Sequence, residues 1–323
     1  MSRDVTVREA AEALREADDI LILTHRRPDG DTAGSAGALC RGLRALGKNA
    51  YIGVNPEITR RYAPLITNCY PGEDFSPKYI VTTDIADYSL LTDNAEEYKD
   101  KIDLVLDHHR LSRIEAPIRL VRPEAGGCAE VIFDVLEELG VPFTEDIARC
   151  IYIGVSTDTG CFKFSNTVPH TLRVAARCLE AGVDGGEINR MLFETKSMPR
   201  FQMEKIIFET LEFYRENCIA VAILRRADID RTGADMDDLD SIASLPRQIE
   251  GVQVGITLTE NRDGSVKASV RTTKEVDASA ICAKLGGGGH LRAAGASLSC
   301  GVDEARAKLL EAANAVYNES ELA

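Results

Sequence analysis

Four of the five histidines in this chain fall inside three short polar motifs, each following an apolar run or a glycine stretch. His25 opens HRRPDGD directly after ILILT, His108 and His109 close DHH after IDLVL, and His290 ends GGGGH ahead of LRAAG. Asp29, Asp31, Asp84, Asp107 and Asp158 each stand at or just past an apolar segment. Imidazole and carboxylate gathered in this way form the ligand set of divalent metal ions. A pair of such ions is suited to the hydrolysis of phosphate esters.

Each motif has a plainer reading when taken alone. In HRRPDGD, Pro28 disfavours helix just before it and Gly30 permits a tight loop, so the segment is expected to be extended or looped. If it is extended, Asp29 and Asp31 point the same way, roughly 6 to 7 Å apart at the backbone, and can serve separate ions. PDGD is also an ordinary turn composition. Asp84 after YIVTT could be a helix cap, and Ser156, Thr157 and Thr159 around Asp158 could make a capping turn. Adjacent histidines after a buried strand are harder to explain, because unpaired buried imidazoles are costly. Convergence of Asp29, Asp31, Asp84 and Asp158 without cations would be strongly repulsive. Two divalent ions balance those charges, and a carboxylate-rich set with imidazoles suits Mn²⁺ better than thiolate-bound zinc.

The elements that must position these groups alternate between strand and helix. Thr6 and Glu9 form a capping box for a helix over 6–17, followed by strand ILIL at 20–23. A helix over 32–46, strand AYIGV, a helix near 57–66, strand YIVTT at 79–83, a helix near 90–98 and strand IDLVL at 102–106 follow. Strands apolar almost throughout and separated by amphipathic helices indicate an α/β domain, a parallel sheet with helices on both faces. Ligands of such sheets bind beyond the carboxyl ends of the strands, where the candidate groups of this half fall. The pattern places this domain at 1–195, a connecting helix at 196–217, and a smaller α/β domain at 218–323. The smaller domain has an antiparallel component, since GVQVGITLTE and SVKASVRTT are joined by NRDG, a hairpin signal. A final helix runs over 303–317.

Composition bounds the rest. With 323 residues and 44% hydrophobic content there is material for two cores. The net charge of −14 argues against a protein that grips long duplex nucleic acid through an extended basic face. Nine cysteines without a CxxC pair read as reduced, buried thiols. A charged, helix-like N-terminus and the absence of a long apolar run imply a cytoplasmic protein without a membrane partner.

The motifs resemble those of the DHH phosphoesterase superfamily. HRRPDGD is similar to its first motif, TTD ending at Asp84 to its second, Asp107-His108-His109 to its third, and STDTG around Asp158 to its fourth. GGGGHLRAAG resembles the signature of the DHH-associated C-terminal domain. These motifs occur in order over nearly the full length, and the compact two-domain form resembles the nanoRNase/pAp phosphatases of the NrnA type. The resemblance implies that His25 and Asp29 hold one ion, that Asp31, His108 and Asp158 hold another, and that Asp84 bridges them. It further implies that His109 faces the substrate phosphate while Asp107 orients the imidazoles. In the second domain, Gly287, Gly288 and Gly289 form a backbone anion nest ahead of His290, and Arg271 matches the arginine placed opposite the substrate. Arg27, beside Arg26, departs from the small or amide residues often found before the proline. His170 is expected to begin a helix and bind nothing, and Lys163 to be an exposed lysine.

The expected activity is two-metal hydrolysis, with Mn²⁺, of short oligoribonucleotides and dinucleotides such as pApA to nucleoside monophosphates. pAp and cyclic di-AMP are further candidate substrates, and a homodimer is compatible with the sequence. Three alternatives stand beside this expectation. The GGGGH signature tells against a manganese-dependent inorganic pyrophosphatase. Short length and acidic charge tell against a RecJ-like single-strand exonuclease, and intact metal motifs against a non-catalytic dinucleotide sensor.

Overall fold

The computed structural model describes residues 2–239, 242–273 and 276–321. The chain forms two compact units, Met1–Thr195 and Lys196–Ala323. No helix among the described residues is long and apolar enough to cross a membrane.

The first unit is built on a six-stranded, wholly parallel sheet in the order β1-β6-β5-β4-β2-β3. Its strands are β1 (Arg3–Asp4), β2 (Ile20–Leu23), β3 (Ala50–Ile52), β4 (Tyr79–Thr83), β5 (Leu104–Asp107) and β6 (Ile118–Val121). The helices are α1 (Val7–Glu16), α2 (Gly30–Ala45), α3 (Ala63–Ile66), α4 (Cys128–Leu139), α5 (Glu145–Asp158), α6 (Pro169–Glu180) and α7 (Gly185–Asn189). α1 starts where its capping box requires: the Glu9 amide donates to Thr6 Oγ1 at 3.3 Å, and the Thr6 amide to the Glu9 carboxylate at 2.9 Å.

Alternation along β2 explains why its run is apolar throughout. Ile20 and Ile22 enter the core formed with α1, α2, α4 and α5, while Leu21 and Leu23 enter a second core on the opposite face. That opposite face is covered by residues 85–116, where the expected helix near 90–98 runs as 3₁₀ turns at Tyr88–Leu90 and Asp93–Lys101. The sequence DNAEEYKDK supplies one buried apolar residue, Ala95, too little to hold an amphipathic α-helix. The helix expected near 57–66 is reduced to α3, because Pro64 lies in its first turn and has no amide to continue a helix begun at residue 57. Two short strands, β1 and β6, carry no strong pattern of their own and form by pairing with each other and with β5.

Strand order reverses between β2 and β4, which lie side by side although β3 separates them in sequence. Crevices at such reversals, beyond the carboxyl ends of the strands, are where open α/β sheets bind ligands. His25 follows β2 and Asp84 follows β4 at this point, and Asp107 ends β5.

The second unit contains α8 (Met198–Glu209), β7 (Glu212–Tyr214), β8 (Ile219–Leu224), α9 (Arg226–Thr232), α10 (Met236–Leu239), β9 (Val254–Glu260), β10 (Val266–Thr272), α11 (Ala278–Ala283), β11 (Gly288–His290), β12 (Ala293–Leu298) and α12 (Val302–Glu321). Its sheet order is β11-β12-β10-β9-β8-β7, with β8 and β9 parallel and the other pairs antiparallel. Residues 212–214 pair as a strand where the pattern suggested a helix continuing to 217. α8 packs Met203, Ile206 and Ile207 against Ala222 and Leu224 of β8.

Candidate metal centre

α2 begins one residue after Asp29, so the HRRPDGD segment is looped only as far as that aspartate. Asp29 is the N-cap, its Oδ1 accepting the amides of Asp31 (2.9 Å) and Thr32 (3.1 Å). Asp31 therefore lies in the first helical turn rather than on an extended strand. It is 1% exposed and points at the start of α4, where its carboxylate accepts the amides of Cys128 (2.6 Å) and Ala129 (2.8 Å). The first amides of a helix have no internal partner and favour an anion, so α4 holds Asp31 through its own N-terminus.

Asp158 is the last residue of α5 and approaches Asp31 because α2 and α5 pack almost backbone to backbone. A Cβ on Gly34 would lie 2.4 Å from the Cys150 carbonyl oxygen of α5, and one on Gly154 would lie 3.0 Å from Asp31 Oδ1. The nearby hydroxyls do not make an N-terminal cap. Thr157 and Thr159 donate back to the carbonyls of Ile153 and Val155 as the helix ends. Asp84 follows β4 with φ of +60°, a left-handed conformation that Asp tolerates better than most residues. Thr32 Oγ1 donates to the Thr83 carbonyl at 3.0 Å and ties the start of α2 to this turn.

Among the described residues, two clusters of ligand-type atoms form around His25 and His108, with Asp84 facing both, and a third grouping of Asp84, His108 and His109 overlaps the second. His25 Nε2 lies 3.7 Å from Asp29 Oδ1 and 3.7 Å from Asp84 Oδ2. His108 Nε2 lies 3.8 Å from Asp31 Oδ2, 3.9 Å from Asp158 Oδ2 and 3.5 Å from Asp84 Oδ1. His25 Nδ1 donates to the Arg26 carbonyl at 2.7 Å, leaving Nε2 free to bind a cation. His109 Nδ1 lies 3.6 Å from Asp84 Oδ1 and donates to Asp107 Oδ1 at 2.8 Å. That Asp107 oxygen also accepts the amides of His108 and His109, so among the described contacts it orients one imidazole, that of His109.

The electrostatics test whether cations fit here. Burial, with repulsion from Asp84 and Asp158, pushes the Asp31 carboxyl well above the ordinary range. Burial also raises Asp84; His108 and His25 oppose the shift and repulsion from Asp29 adds to it. Asp158 is pushed up to about 6, chiefly by burial. Burial opposes charge on His25 and His108, yet the surrounding carboxylates raise them to about 9 and about 10. Asp84 Oδ1 is buried without a hydrogen-bond partner. Such a group is costly unless something outside the protein satisfies it. Carboxylates that resist ionising together, an orphaned oxygen between them, and imidazoles presenting Nε2 make a donor set that divalent cations fit.

The second-unit candidates are placed as follows. Arg271 lies on β10, half-buried; its guanidinium donates to the Val270 carbonyl at 3.1 Å, and no described carboxylate pairs with it. Burial lowers its pKa. Gly288–His290 is an exposed edge strand paired with β12, so these glycines lie in a sheet ladder rather than in a free loop. Gly287 is enclosed, since a Cβ there would lie 2.3 Å from the Gly295 carbonyl oxygen. Beside the first-unit clusters, His170 makes a contact the sequence did not suggest: its Nε2 pairs with Asp134 Oδ1 at 2.8 Å, and Arg122 holds the other oxygen at 2.6 Å. Arg26 is turned aside, bound to the Leu91 carbonyl and to Asp93.

The chain shares these features with known proteins. Residues 19–155 match the DHH family, N-terminal domain, and residues 216–319 match the DHHA1 domain. A Thermus thermophilus protein named bifunctional oligoribonuclease and PAP phosphatase NrnA is 35% identical over 95% of this chain and 93% of its own length. The chain belongs to the DHH family. It is a DHH-family phosphoesterase. A Listeria monocytogenes cyclic-di-AMP phosphodiesterase, PdeA, is 27% identical over 95% of this chain, which spans 49% of that protein. The fold matches an exopolyphosphatase-related protein from Bacteroides fragilis with a TM-score of 0.87, at 21% identity over 98% of this chain and 97% of that one.

Sequence reasoning missed three parts of this DHH-family site: the amides of Cys128 and Ala129, the close approach of Gly127 to Asp31, and Asn166. A Cβ on Gly127 would lie 2.9 Å from Asp31 Oδ2. Gly126-Gly127 ahead of an apolar helix was an available signal, because glycine before a helix N-terminus admits an anion. Asn166 Nδ2 donates to the Gly126 carbonyl at 2.8 Å and to Asp158 Oδ2 at 3.1 Å, a contact no spacing rule suggests.

Proposed function

We propose that this protein hydrolyses short oligoribonucleotides and dinucleotides such as pApA to nucleoside monophosphates, and removes phosphate from pAp. The observation that carries the reading is Asp84, which presents one oxygen to each of two imidazole–carboxylate clusters. The name of the Thermus relative supports the substrate class. His25, Asp29 and Asp84 would hold one divalent ion, and Asp31, His108, Asp158 and Asp84 a second, with Mn²⁺ suited to this oxygen-rich set. When bound, such ions neutralise phosphate charge and lower the pKa of water.

The chain's own groups prepare the rest. Asp107, helped by Asp84 and opposed by burial, raises His109 above its ordinary range. Its Nδ1 proton is committed to Asp107, so Nε2 is left to face a substrate phosphate and donates to it when the ring is protonated. Residues 1–195 hold the candidate metal ligands, and within residues 218–323 the candidate phosphate-binding groups are Arg271, Gly287, Gly288, Gly289 and His290. A half-buried guanidinium without a carboxylate partner suits an anion.

The test is a panel of pApA, pGpG, RNA of two to five nucleotides, pAp, cyclic di-AMP and pyrophosphate, assayed with Mn²⁺. Cleavage of pApA and short RNA to mononucleotides is expected, and Arg271→Ala should raise KM while leaving bound metal unchanged. Turnover of pyrophosphate alone would overturn the assignment. Rates should also fall as RNA lengthens, because each added phosphate meets a chain of net charge −14, and moderate salt should soften the fall.

A further inference from the structure

Residues 158–166 leave the end of α5 and fold back on it. Asn166 Nδ2 donates to the Asp158 carbonyl at 3.2 Å as well as to its carboxylate, and the amides of Lys163 and Phe164 both donate to the Thr159 carbonyl at 3.0 Å. Within this loop Gly160, Cys161 and Phe162 have φ of +57°, +61° and +61°. Two consecutive non-glycine residues in the left-handed region are disfavoured, and strain of this kind concentrates at functional sites.

The loop sends two rings in opposite directions. Phe162 turns inward against the core and meets Tyr152 edge-on, with centroids 5.9 Å apart. Phe164 turns outward and is 57% exposed. Its ring is nevertheless braced: a Cβ built on Gly160 would lie 2.4 to 2.7 Å from three of its ring carbons. One part of the ring therefore rests on the Gly160 backbone, and the remainder is open to solvent. The ring thus combines a close backbone contact on one side with a solvent-open face on the other.

We propose that Phe164 is a stacking platform for a nucleobase of the substrate, set in the loop that Asp158 begins; this rests on the nucleotide reading above. Every base has a π-face, so a braced aromatic ring recognises nucleotides without selecting among them, and bracing removes most of the ordering cost of binding. Stacking on one aromatic side chain corresponds to roughly 5- to 150-fold in affinity.

The experiment compares wild type, Phe164→Ala and Phe164→Tyr on pApA and on the same phosphate backbone lacking both bases, with kcat and KM measured separately. Stacking is read independently from the fluorescence quench of a 2-aminopurine dinucleotide with a phosphorothioate linkage. Phe164→Ala should raise KM for pApA at least about fivefold, leave kcat and the baseless substrate unchanged, and abolish the quench. Phe164→Tyr should keep wild-type values. Phe164 is exposed, so its truncation removes surface rather than core. Equal effects of Phe164→Ala on both substrates, or on neither, would overturn the platform. Wild type that cleaves both substrates with equal efficiency also overturns the platform but leaves the phosphodiesterase reading standing; cleavage of neither removes both.

Discussion

Gly34→Ala should damage the candidate metal centre without touching any of its candidate ligands. The added Cβ would lie 2.4 Å from the Cys150 carbonyl oxygen and 3.1 Å from the Gly154 amide nitrogen. Both are backbone atoms in mid-helix and cannot rotate away, so α2 and α5 must part by roughly 1 Å to restore ordinary contact. Overpacking against rigid backbone sits at the upper end of its range, about 3 kcal/mol. Replacing glycine by alanine inside a helix returns about 1 kcal/mol. The net loss of about 2 kcal/mol lowers Tm by roughly 4 to 8 °C in a unit of this size.

The same movement separates Asp31, in the first turn of α2, from Asp158, at the end of α5. Their oxygens now lie 3.8 and 3.9 Å from His108 Nε2. Metal sites tolerate only about 0.2 Å in ligand distance, so Mn²⁺ affinity should fall about 10- to 100-fold. Calorimetric Mn²⁺ titration and thermal denaturation measure the two effects. Gly72→Ala is the control, because nothing lies within 4 Å of a Cβ there. Wild-type Tm and wild-type Mn²⁺ affinity in Gly34→Ala would refute the claim that helix contact sets the ligand spacing.

Other perturbations separate charge from packing. Asp84→Asn should cost at least about 100-fold in activity, since it weakens both clusters, yet after chelation the variant should unfold at a higher temperature than chelated wild type, because a carboxylate whose charge is disfavoured chiefly by burial is gone. Lower stability of the chelated variant would contradict this account. Adding Mn²⁺ at about 100 times its Kd to chelated wild type should stabilise it by about 2.7 kcal/mol, visible as a shift in Tm. In the second unit, Glu204 accepts from Arg200 Nε at 2.7 Å and pairs with Lys196, which together hold its carboxyl below the ordinary range despite burial. A lowered acid stabilises the fold above the unfolded pKa and loses that contribution as pH falls through the folded one. Wild type should therefore lose stability on acidification below about pH 4.5, and Glu204→Gln should show a flatter acid limb with a loss of about 1.5 to 3 kcal/mol at neutral pH.

The amino-acid sequence by itself determined the strands that carry the site and the chemical types at their ends. β2, β4 and β5 are buried on both faces, so their runs of apolar residues are visible without a partner, and a strand's polar successor falls at its carboxyl end by geometry alone. α1 was equally legible because its start is fixed by a local exchange between Thr6 and Glu9. Segments whose structure depends on distant pairing were not legible: β1 and β6 exist by pairing with each other and with β5, and residues 88–101 turn as 3₁₀ because too little apolar surface favours a full helix. For the site, residue types were readable but the spacing between them was not. Asp31 and Asp158 are 127 positions apart and meet because glycines let α2 and α5 touch, while the amides that hold Asp31 belong to a third helix. Local sequence decides which groups can bind a cation. Only the packing of three helices decides that their oxygens point at one place, because that convergence depends on contacts between backbones far apart in the chain.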